Sequence, residues 1–181
     1  METTQIVWIF GTSGAGKGTI INKLTSSKRE WQFLIKNLGL NKSIVKSNES
    51  LKVDDRDSNK VKTEIINLVQ QRYITVLTKV QWSDIEERSI PKELKHEIPE
   101  NIHRIIMLYV NPSKTVERLK DDQRPNRRVS DEDGARSYLK RMTGYVVDLQ
   151  KEGFQVTWID SNDFDYRVLS QSEIGTILNS I

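Results

Sequence analysis

The residues Gly11-Thr-Ser-Gly-Ala-Gly-Lys-Gly-Thr19 follow an apolar run, Ile6-Val-Trp-Ile-Phe10, and precede Ile20-Ile-Asn-Lys-Leu24, whose pattern predicts a helix. A strand, a loop of the form GxxxxGK and a helix, in this order, are the context that a phosphate-binding loop requires. Glycines allow positive φ, so the backbone can turn its N–H groups inward, and the start of the helix adds its positive dipole end. The stretch therefore predicts a polyphosphate site, formed by Gly11, Thr12, Ser13, Gly14, Ala15, Gly16, Lys17, Gly18 and Thr19.

Within this loop, Lys17 is predicted to reach the outer phosphates, and Thr19 offers a hydroxyl in the first helical turn. The position after the lysine, where a Ser or Thr usually ligates magnesium, is Gly18. No metal ligand is therefore assigned in the loop, and magnesium is expected to be held chiefly by phosphates and water.

Length and composition predict a soluble globular protein of one domain. The chain has 181 residues, of which 36% are hydrophobic and 29% charged, and a net charge of +3 that favours a small anionic ligand. It has no cysteine and two histidines, which excludes a disulfide framework and makes a zinc cluster untenable. No apolar run approaches a membrane span and Met1-Glu-Thr-Thr does not start like a secretion signal, so we expect a cytoplasmic location.

Strand and helix patterns alternate along the chain, which predicts an α/β fold with three layers, α/β/α, and a parallel central sheet of about five strands. The ligand site is then expected at the carboxyl ends of the strands. Both histidines are expected at the surface, and Trp8 and Trp158 in the core. The predicted strands are 5–10, 43–47, 73–80, 103–110 and 154–159. The first helix is predicted to end near residue 25, and further helices are predicted over 26–40, 60–71, 85–94, 114–120, 131–151 and 171–180. Residues 48–59 are predicted to form a surface loop.

A second cluster of interest is basic. It contains Arg124, Arg127 and Arg128, with Arg136 and Arg141 on the helix that follows. Phosphoryl transfer needs positive charge around the migrating group, and the planar fork of arginine binds phosphate oxygens in a bidentate manner. A solvated basic surface is the alternative interpretation, which the phosphate-binding loop makes less favourable.

The chain resembles the nucleoside monophosphate kinases of the P-loop kinase group over about half of its length. Adenylate kinases share the sequence Gly16-Lys-Gly-Thr19, and Ser13-Gly-Ala-Gly-Lys17 is similar to the corresponding loop of guanylate kinases. The order of elements from Ile105 to Asp160, with Arg118-Leu119, is similar to that of nucleoside monophosphate kinases and of shikimate kinase-type relatives. The resemblance implies a single kinase domain over residues 1–181, with a short lid at about 121–131 and an acceptor-binding insertion at about 26–60. It also implies ATP and Mg²⁺ as cofactors and catalytic roles for Lys17, Arg124, Arg127, Arg128, Arg136 and Arg141.

The acceptor half departs from these families. Where an adenylate kinase has Asp-Gly-Phe-Pro-Arg, this chain has Lys79-Val-Gln-Trp-Ser-Asp84, and a guanylate kinase's Thr-Thr-Arg is replaced by Ser47-Asn-Glu-Ser50. Gln81 is a candidate for reading a base or hydroxyl, Trp82 for stacking, and Asp84 for binding the acceptor or a metal through water. Core packing for the tryptophan and helix capping for the aspartate are the structural alternatives.

These features together predict an ATP-dependent phosphotransferase that moves the γ-phosphate to a small acceptor, either a nucleoside monophosphate or a similar nucleotide. Two alternatives remain open. In the first, the acceptor is a hydroxyl group, on a small metabolite or on the 5′ end of a polynucleotide. In the second, the protein is a nucleotide-binding switch or an ATPase that transfers no phosphate to an acceptor. The predicted partners are a nucleotide donor and a small acceptor, with no membrane, and with nucleic acid only for the polynucleotide acceptor.

Overall fold

The computed structural model describes residues 3–26, 28–41, 43–48, 50–52, 58–71, 73–81, 89–120 and 129–181. In these ranges, strands and helices alternate for most of the chain. The strands are β1 (Gln5–Gly11), β2 (Ser43–Lys46), β3 (Leu51–Lys52), β4 (Ile74–Gln81), β5 (Ile102–Tyr109), β6 (Gln155–Asp160) and β7 (Arg167–Val168), and the helices are α1 (Lys17–Thr25), α2 (Arg29–Asn37), α3 (Ser58–Val69), α4 (Ile90–Glu97), α5 (Pro112–Leu119), α6 (Glu132–Lys151) and α7 (Gln171–Ser180).

Contacts between residues group the chain into two compact units, and both β1 and β5 are divided between them. The first unit comprises Met1–Ile9 and Gly18–Ile105, and the second comprises Phe10–Lys17 and Ile106–Ile181. Residues 11–17 of the glycine-rich loop thus belong to the second unit, with the C-terminal part of the chain, and Gly18 and Thr19 belong to the first. The prediction of one kinase domain with a lid and an insertion stays a prediction.

The first unit contains β2, β4, β1 and the start of β5, adjacent in this order, and β4 runs parallel to both β1 and β2. Strand β4 pairs with β1 from Gln5↔Thr75 to Ile9↔Lys79, and on its other side it pairs with β2. Every residue of β1 is buried, as expected for a central strand that is covered on both faces. The side chain of Trp8 is fully buried, so its predicted place in the core is confirmed.

The second unit continues from the ends of β1 and β5 through β6 to β7. Helix α6 packs against both α5 and β6, and its inward face is apolar. Trp158 in β6 is buried, as predicted. Strand β7 is antiparallel to β6, with Ile159 opposite Val168, so the sheet is mixed although most of its strands are parallel. The predicted α/β class is therefore confirmed.

Three local predictions were inaccurate. The 48–59 segment is not all surface loop, because Leu51 is buried and pairs with Val80, and α3 already begins at Ser58. The antiparallel strand β7 was not predicted, since two residues show no periodicity. His103 is buried rather than exposed, and the loss of hydration lowers the pKa of its imidazole.

Helix α4 begins at Ile90 and has Pro91 in its first turn. The first residues of that predicted helix, 85–88, lie outside the described residues. Within the part of the chain that the structure describes, no helix is both long and apolar enough to cross a membrane.

The start of α7 generates a prediction about acid stability. The carboxylate of Glu173 accepts from the Arg167 guanidinium and from the Ser170 backbone, and these bonds lower the pKa of Glu173 from 4.5 to about 2. A carboxyl whose pKa is lower in the folded state stabilises the fold above its unfolded pKa, and that stabilisation is lost as the pH falls toward the folded value.

We therefore expect Glu173→Gln to lower the free energy of unfolding at neutral pH, and we expect this difference from wild type to shrink between pH 4.5 and 2. Chemical denaturation at a series of pH values measures it. Glu100→Gln, at an exposed carboxyl, is the matched control. A difference that stays constant down to pH 2 would contradict the assignment.

Candidate phosphate-binding site

The glycine-rich loop between β1 and α1 has the backbone conformation expected of a phosphate-binding loop. Gly14 and Gly16 have positive φ, +75° and +87°, and the N–H of Ala15 closes a turn by donating to the carbonyl of Thr12 at 3.0 Å. Residues other than glycine rarely adopt such φ values. The space is also restricted at Gly16, where an added Cβ would lie 3.0 Å from both Phe164 and Tyr166.

The side chain of Lys17 folds back over this loop. Its ammonium Nζ donates to the carbonyl oxygens of Gly11 at 2.6 Å and of Thr12 at 3.0 Å, and the residue is half-buried. Helix α1 begins at the same residue, so its N-terminal dipole end and the ammonium lie at the same end of the loop. Two sources of positive potential thus coincide where the sequence predicts the outer phosphates.

The remaining loop residues differ in exposure. Thr12 and Ala15 are buried, Ser13 is half-buried, and Gly18 and Thr19 are exposed. The hydroxyl oxygen of Thr12 has no hydrogen-bond partner among the residues that the structure describes. A Cβ at Gly18 would meet nothing within 4 Å, so this position does not need glycine for reasons of space.

Arg118, near the end of α5, contacts the loop from the side. Asn111 caps α5 by accepting from the backbone of Ser113, and the helix carries Arg118 to within 3.1 Å of the Gly14 carbonyl, to which Nη1 donates. Its Nη2 donates to the carbonyls of Ser161, at 2.6 Å, and Asn162. Burial lowers the pKa of the Arg118 guanidinium from its ordinary value, although an arginine remains charged in a protein.

The segment that follows β6 covers another side of the loop. The hydroxyl of Ser161 donates to the Ala15 carbonyl at 2.5 Å, and the phenol of Tyr166 donates to the Gly16 carbonyl at 3.4 Å. Phe164 and Tyr166 have φ values of +59° and +55°, which bulky residues rarely adopt, and the Phe164 ring lies 3.9 Å from the guanidinium carbon of Arg118. This unusual bend brings the Phe164 ring and the Tyr166 hydroxyl next to Gly16.

The loops after β5 and β6 are joined by a short polar network that fixes this segment. The Asp160 carboxylate accepts from the backbone and side-chain N–H groups of Asn162, at 2.9 and 2.8 Å. The side-chain oxygen of Asn162 in turn accepts from the backbone of Asn111, and the backbone of Ser161 donates to the Tyr109 carbonyl. The residues that lead into α5, the helix of Arg118, are therefore tied to the segment that carries Ser161.

Of the predicted arginines, two lie in the described chain. Arg136 donates to the Glu132 carboxylate on its own helix, at 3.1 Å, and to the Ser180 carbonyl at the end of α7, at 3.3 Å. Arg141 is exposed one turn further along α6. The predicted lid arginines Arg124, Arg127 and Arg128 lie outside the described residues, so their role stays a prediction.

The predicted acceptor residues also stay predictions. Gln81 is the last residue of β4, but its side chain is not among those described, and Trp82 and Asp84 lie outside the described residues. Among the described residues, no three His, Asp or Glu side chains cluster in a way that would hold a metal.

Sequence reasoning missed the residues that support the loop from outside, Ser161, Phe164 and Tyr166. A signal was available, because the segment follows directly after a core strand whose carboxyl end is expected at the ligand side of the sheet. Arg118 had been noted only as part of a family resemblance, and no pattern indicated that it bonds the loop.

Comparison with known proteins adds information about the fold alone. No family model matches the sequence, and no curated protein matches it. Among solved structures, a chain of the PezAT chromosomal toxin-antitoxin system of Streptococcus pneumoniae is similar with a TM-score of 0.51 and 13% identity, over 99% of this chain and 78% of that chain.

Two further similarities are weaker. The YorR protein from Bacillus subtilis, in complex with phosphorylated GDP, has a TM-score of 0.47 and 15% identity, over 97% of this chain and 94% of that chain. Shikimate kinase from Acinetobacter baumannii, in complex with shikimate, has a TM-score of 0.44 and 16% identity, over 99% and 92%. At such identities no activity follows from any of the three. The predicted resemblance to P-loop kinases is confirmed as a resemblance of fold.

The geometry of the loop predicts opposite effects of alanine at two glycines. Gly16→Ala forces a Cβ into a left-handed position against Phe164 and Tyr166, and we expect it to lower the free energy of unfolding by about 1–2 kcal/mol. Gly18→Ala enters open space in a helix, and we expect it to raise that free energy by up to about 1 kcal/mol.

Denaturant unfolding of the two variants beside wild type measures these changes. Gly18→Ser belongs in the same series, because the open space predicts that it folds and keeps any ligand that the loop binds. Loss of stability at Gly18, or none at Gly16, would show that the loop backbone differs from that described.

Proposed function

We propose that the chain is an ATP-dependent phosphotransferase of the P-loop kinase type, which moves the γ-phosphate of ATP to a small acceptor. The observation that carries the proposal is the ammonium of Lys17, held over a glycine loop whose two left-handed residues and adjoining helix N-terminus suit an anion. Backbone N–H groups at such a turn and a nearby lysine are the usual means of binding a polyphosphate.

In the proposed complex, Lys17 exchanges its two carbonyl acceptors for phosphate oxygens. A bond from an ammonium to a charged oxygen is stronger than one to a neutral carbonyl, so the exchange favours the bound state. Gly11 and Thr12 would then lose a donor near the base of the loop. The side chain thus has a defined position before and after binding, which limits the entropy lost when the nucleotide enters.

Catalysis in this proposal is mostly positioning and neutralisation of charge. The three equatorial oxygens of the migrating group carry spread negative charge, and arginines that reach them only in the closed state stabilise the transition state. Arg124, Arg127 and Arg128 are the proposed lid arginines, and Arg136 and Arg141 the proposed helix arginines.

Magnesium enters the proposal only with the nucleotide. The described residues provide no carboxylate cluster for it, and Gly18 carries no hydroxyl at the position where such loops commonly provide one. We therefore assign no protein ligand to the ion and no catalytic step to it, and Gln81, Trp82 and Asp84 stay proposed acceptor residues.

The acceptor that we propose is a nucleoside monophosphate or a similar nucleotide, with a hydroxyl acceptor as the second candidate. A phosphate acceptor needs cationic partners of its own, and residues 43–57 contain only Lys46, Lys52 and Arg56 as basic residues. This scarcity is the reason why the hydroxyl acceptor stays as the second candidate.

A transfer screen distinguishes these functions. Nucleoside monophosphates, nucleosides, small hydroxylated metabolites and 5′-hydroxyl oligonucleotides are incubated with the protein, ATP and Mg²⁺, and the products are separated. A new phosphoanhydride identifies the nucleotide acceptor, and a new phosphoester identifies the hydroxyl acceptor. Free phosphate alone would indicate an ATPase or switch and would contradict the kinase proposal.

The first variant to test is Lys17→Ala. It removes the charge beside the outer phosphates, and we expect phosphoryl transfer to fall by roughly a hundredfold or more. The fold should survive, because each of the two carbonyl bonds that are lost has a net contribution of only about 1 kcal/mol. Turnover and a thermal melting curve are measured together.

Lys23→Ala is the matched control for this variant, since Lys23 is on the same helix and its ammonium lies over the Trp31 ring rather than the glycine loop. It should keep normal turnover. Near-normal turnover of Lys17→Ala would remove the loop from the mechanism.

The second set of variants concerns the proposed lid. Arg124, Arg127 and Arg128 are changed to Ala singly and together, because neighbouring arginines can replace one another. If they meet the phosphoryl group only in the transition state, the triple variant should lose about a hundredfold or more in kcat with little change in the Kd of ATP.

Turnover and the Kd of ATP are measured for each of these variants. Full turnover in the triple variant would refute the lid assignment. Loss of ATP binding with the chemistry otherwise intact would assign these arginines to the ground state and favour a binding module.

A further inference from the structure

Three consecutive carbonyl groups of the glycine loop are each bonded by a side chain from elsewhere in the second unit. The carbonyl oxygen of Gly14 accepts from Arg118 at 3.1 Å, that of Ala15 from Ser161 at 2.5 Å, and that of Gly16 from Tyr166 at 3.4 Å. We call Arg118, Ser161 and Tyr166 the carbonyl clamp. The proposed function does not use these contacts.

The geometry of the peptide group gives the clamp a consequence on the opposite side of the loop. In a trans peptide, the C=O of one residue and the N–H of the next point in opposite directions, and the described chain contains no cis peptide bond. When Ser161 holds the Ala15 carbonyl, it fixes the direction of the Gly16 N–H. When Tyr166 holds the Gly16 carbonyl, it fixes that of the Lys17 N–H.

The members of the clamp have little freedom to move. Ser161 and Tyr166 expose 0% and 2% of their surface, and Arg118 is anchored by further bonds to the carbonyls of Ser161 and Asn162. Hydrogen bonds shielded from water are stronger, and side chains held in place lose no further entropy when a ligand binds. The clamp therefore determines the direction of the loop's peptide planes before any ligand arrives.

We propose that Arg118, Ser161 and Tyr166 are positioning residues that hold the glycine loop by its carbonyl groups, so that the N–H groups of Gly16 and Lys17 face the oxygens of a bound polyphosphate. The inference rests on the proposed function and adds to it, since it names the residues that preorganise the phosphate site. Its ligand class is the polyphosphate itself, whatever nucleoside or acceptor accompanies it.

Two conservative variants test the clamp. Ser161→Ala removes a single buried hydroxyl, and Tyr166→Phe removes the phenol oxygen while keeping the buried ring. Arg118 is left unchanged, because its other contacts would confuse the result. Thr143→Val is the matched control, since Thr143 also has a buried hydroxyl in the second unit, on α6, and does not belong to the clamp.

The measurement is the Kd of ATP and of inorganic tripolyphosphate by calorimetry, well below the melting temperature of each variant. Loss of a shielded hydrogen bond should weaken both ligands roughly tenfold in Ser161→Ala, and about two- to threefold in Tyr166→Phe, whose bond is long. The ratio of the two Kd values should stay as in wild type, because the clamp acts on the phosphates alone. Thr143→Val should bind both ligands normally.

The outcomes separate the inference from the function on which it rests. Wild-type affinity in both Ser161→Ala and Tyr166→Phe would overturn the inference and leave the proposed function standing, as would a lower melting temperature without a change in either Kd. If wild type itself binds neither ATP nor tripolyphosphate, the proposed function is overturned and the inference with it. Should Ser161→Ala fail to fold, an unchanged Kd in Tyr166→Phe overturns the inference alone.

Discussion

The backbone of the glycine loop has to meet two demands at once. In the function that we propose, its N–H groups must stay available for an anion, while its buried carbonyl groups need donors. In this protein the donors come from the loop's own lysine, which bonds the carbonyls of Gly11 and Thr12, and from the clamp, which bonds those of Gly14 to Gly16. The side chains that donate to the carbonyl oxygens of the loop thus also hold its backbone in place for the proposed anion.

Much of the second unit can be understood as support for these donors. Asn111 caps the start of α5, the helix that carries Arg118, and its backbone N–H donates to the side chain of Asn162, the residue next to Ser161. The left-handed conformations of Phe164 and Tyr166 carry a conformational cost that the surrounding contacts must offset. Their effect is local, since the Phe164 ring and the Tyr166 hydroxyl oxygen both lie 3.0 Å from the position that a Cβ at Gly16 would take.

The sequence predicted the parts of the fold in which one residue type permits few conformations. GxxxxGK after an apolar run located β1, the loop and α1, and the pattern of residues 171–180 matched the bounds of α7. It failed where tertiary contacts decide. Nothing in the residue types indicates that His103 faces inward at the start of β5, or that two residues of β7 pair with β6.

The residues of the candidate site also fall into those that the sequence predicts and those that it does not. The nine loop residues were predicted because their spacing itself encodes a backbone conformation. Ser161 and Tyr166 each bond a carbonyl group that is far away in the sequence. A lone serine or tyrosine has no spacing rule that could reveal such a contact. The acceptor residues depend on side-chain placement at the end of β4, for which no motif was available.

The contacts of the glycine loop are far apart in sequence, and this has a consequence for synthesis on the ribosome. Gly14 is bonded by a residue 104 positions later, Ala15 by one 146 positions later, and Gly16 by one 150 positions later. A nascent chain that ends before these residues has made the whole loop but none of the side chains that orient its peptide planes. The loop therefore acquires these contacts only when the last part of the chain has been made, and until then the nascent protein relies on its first strands and helices.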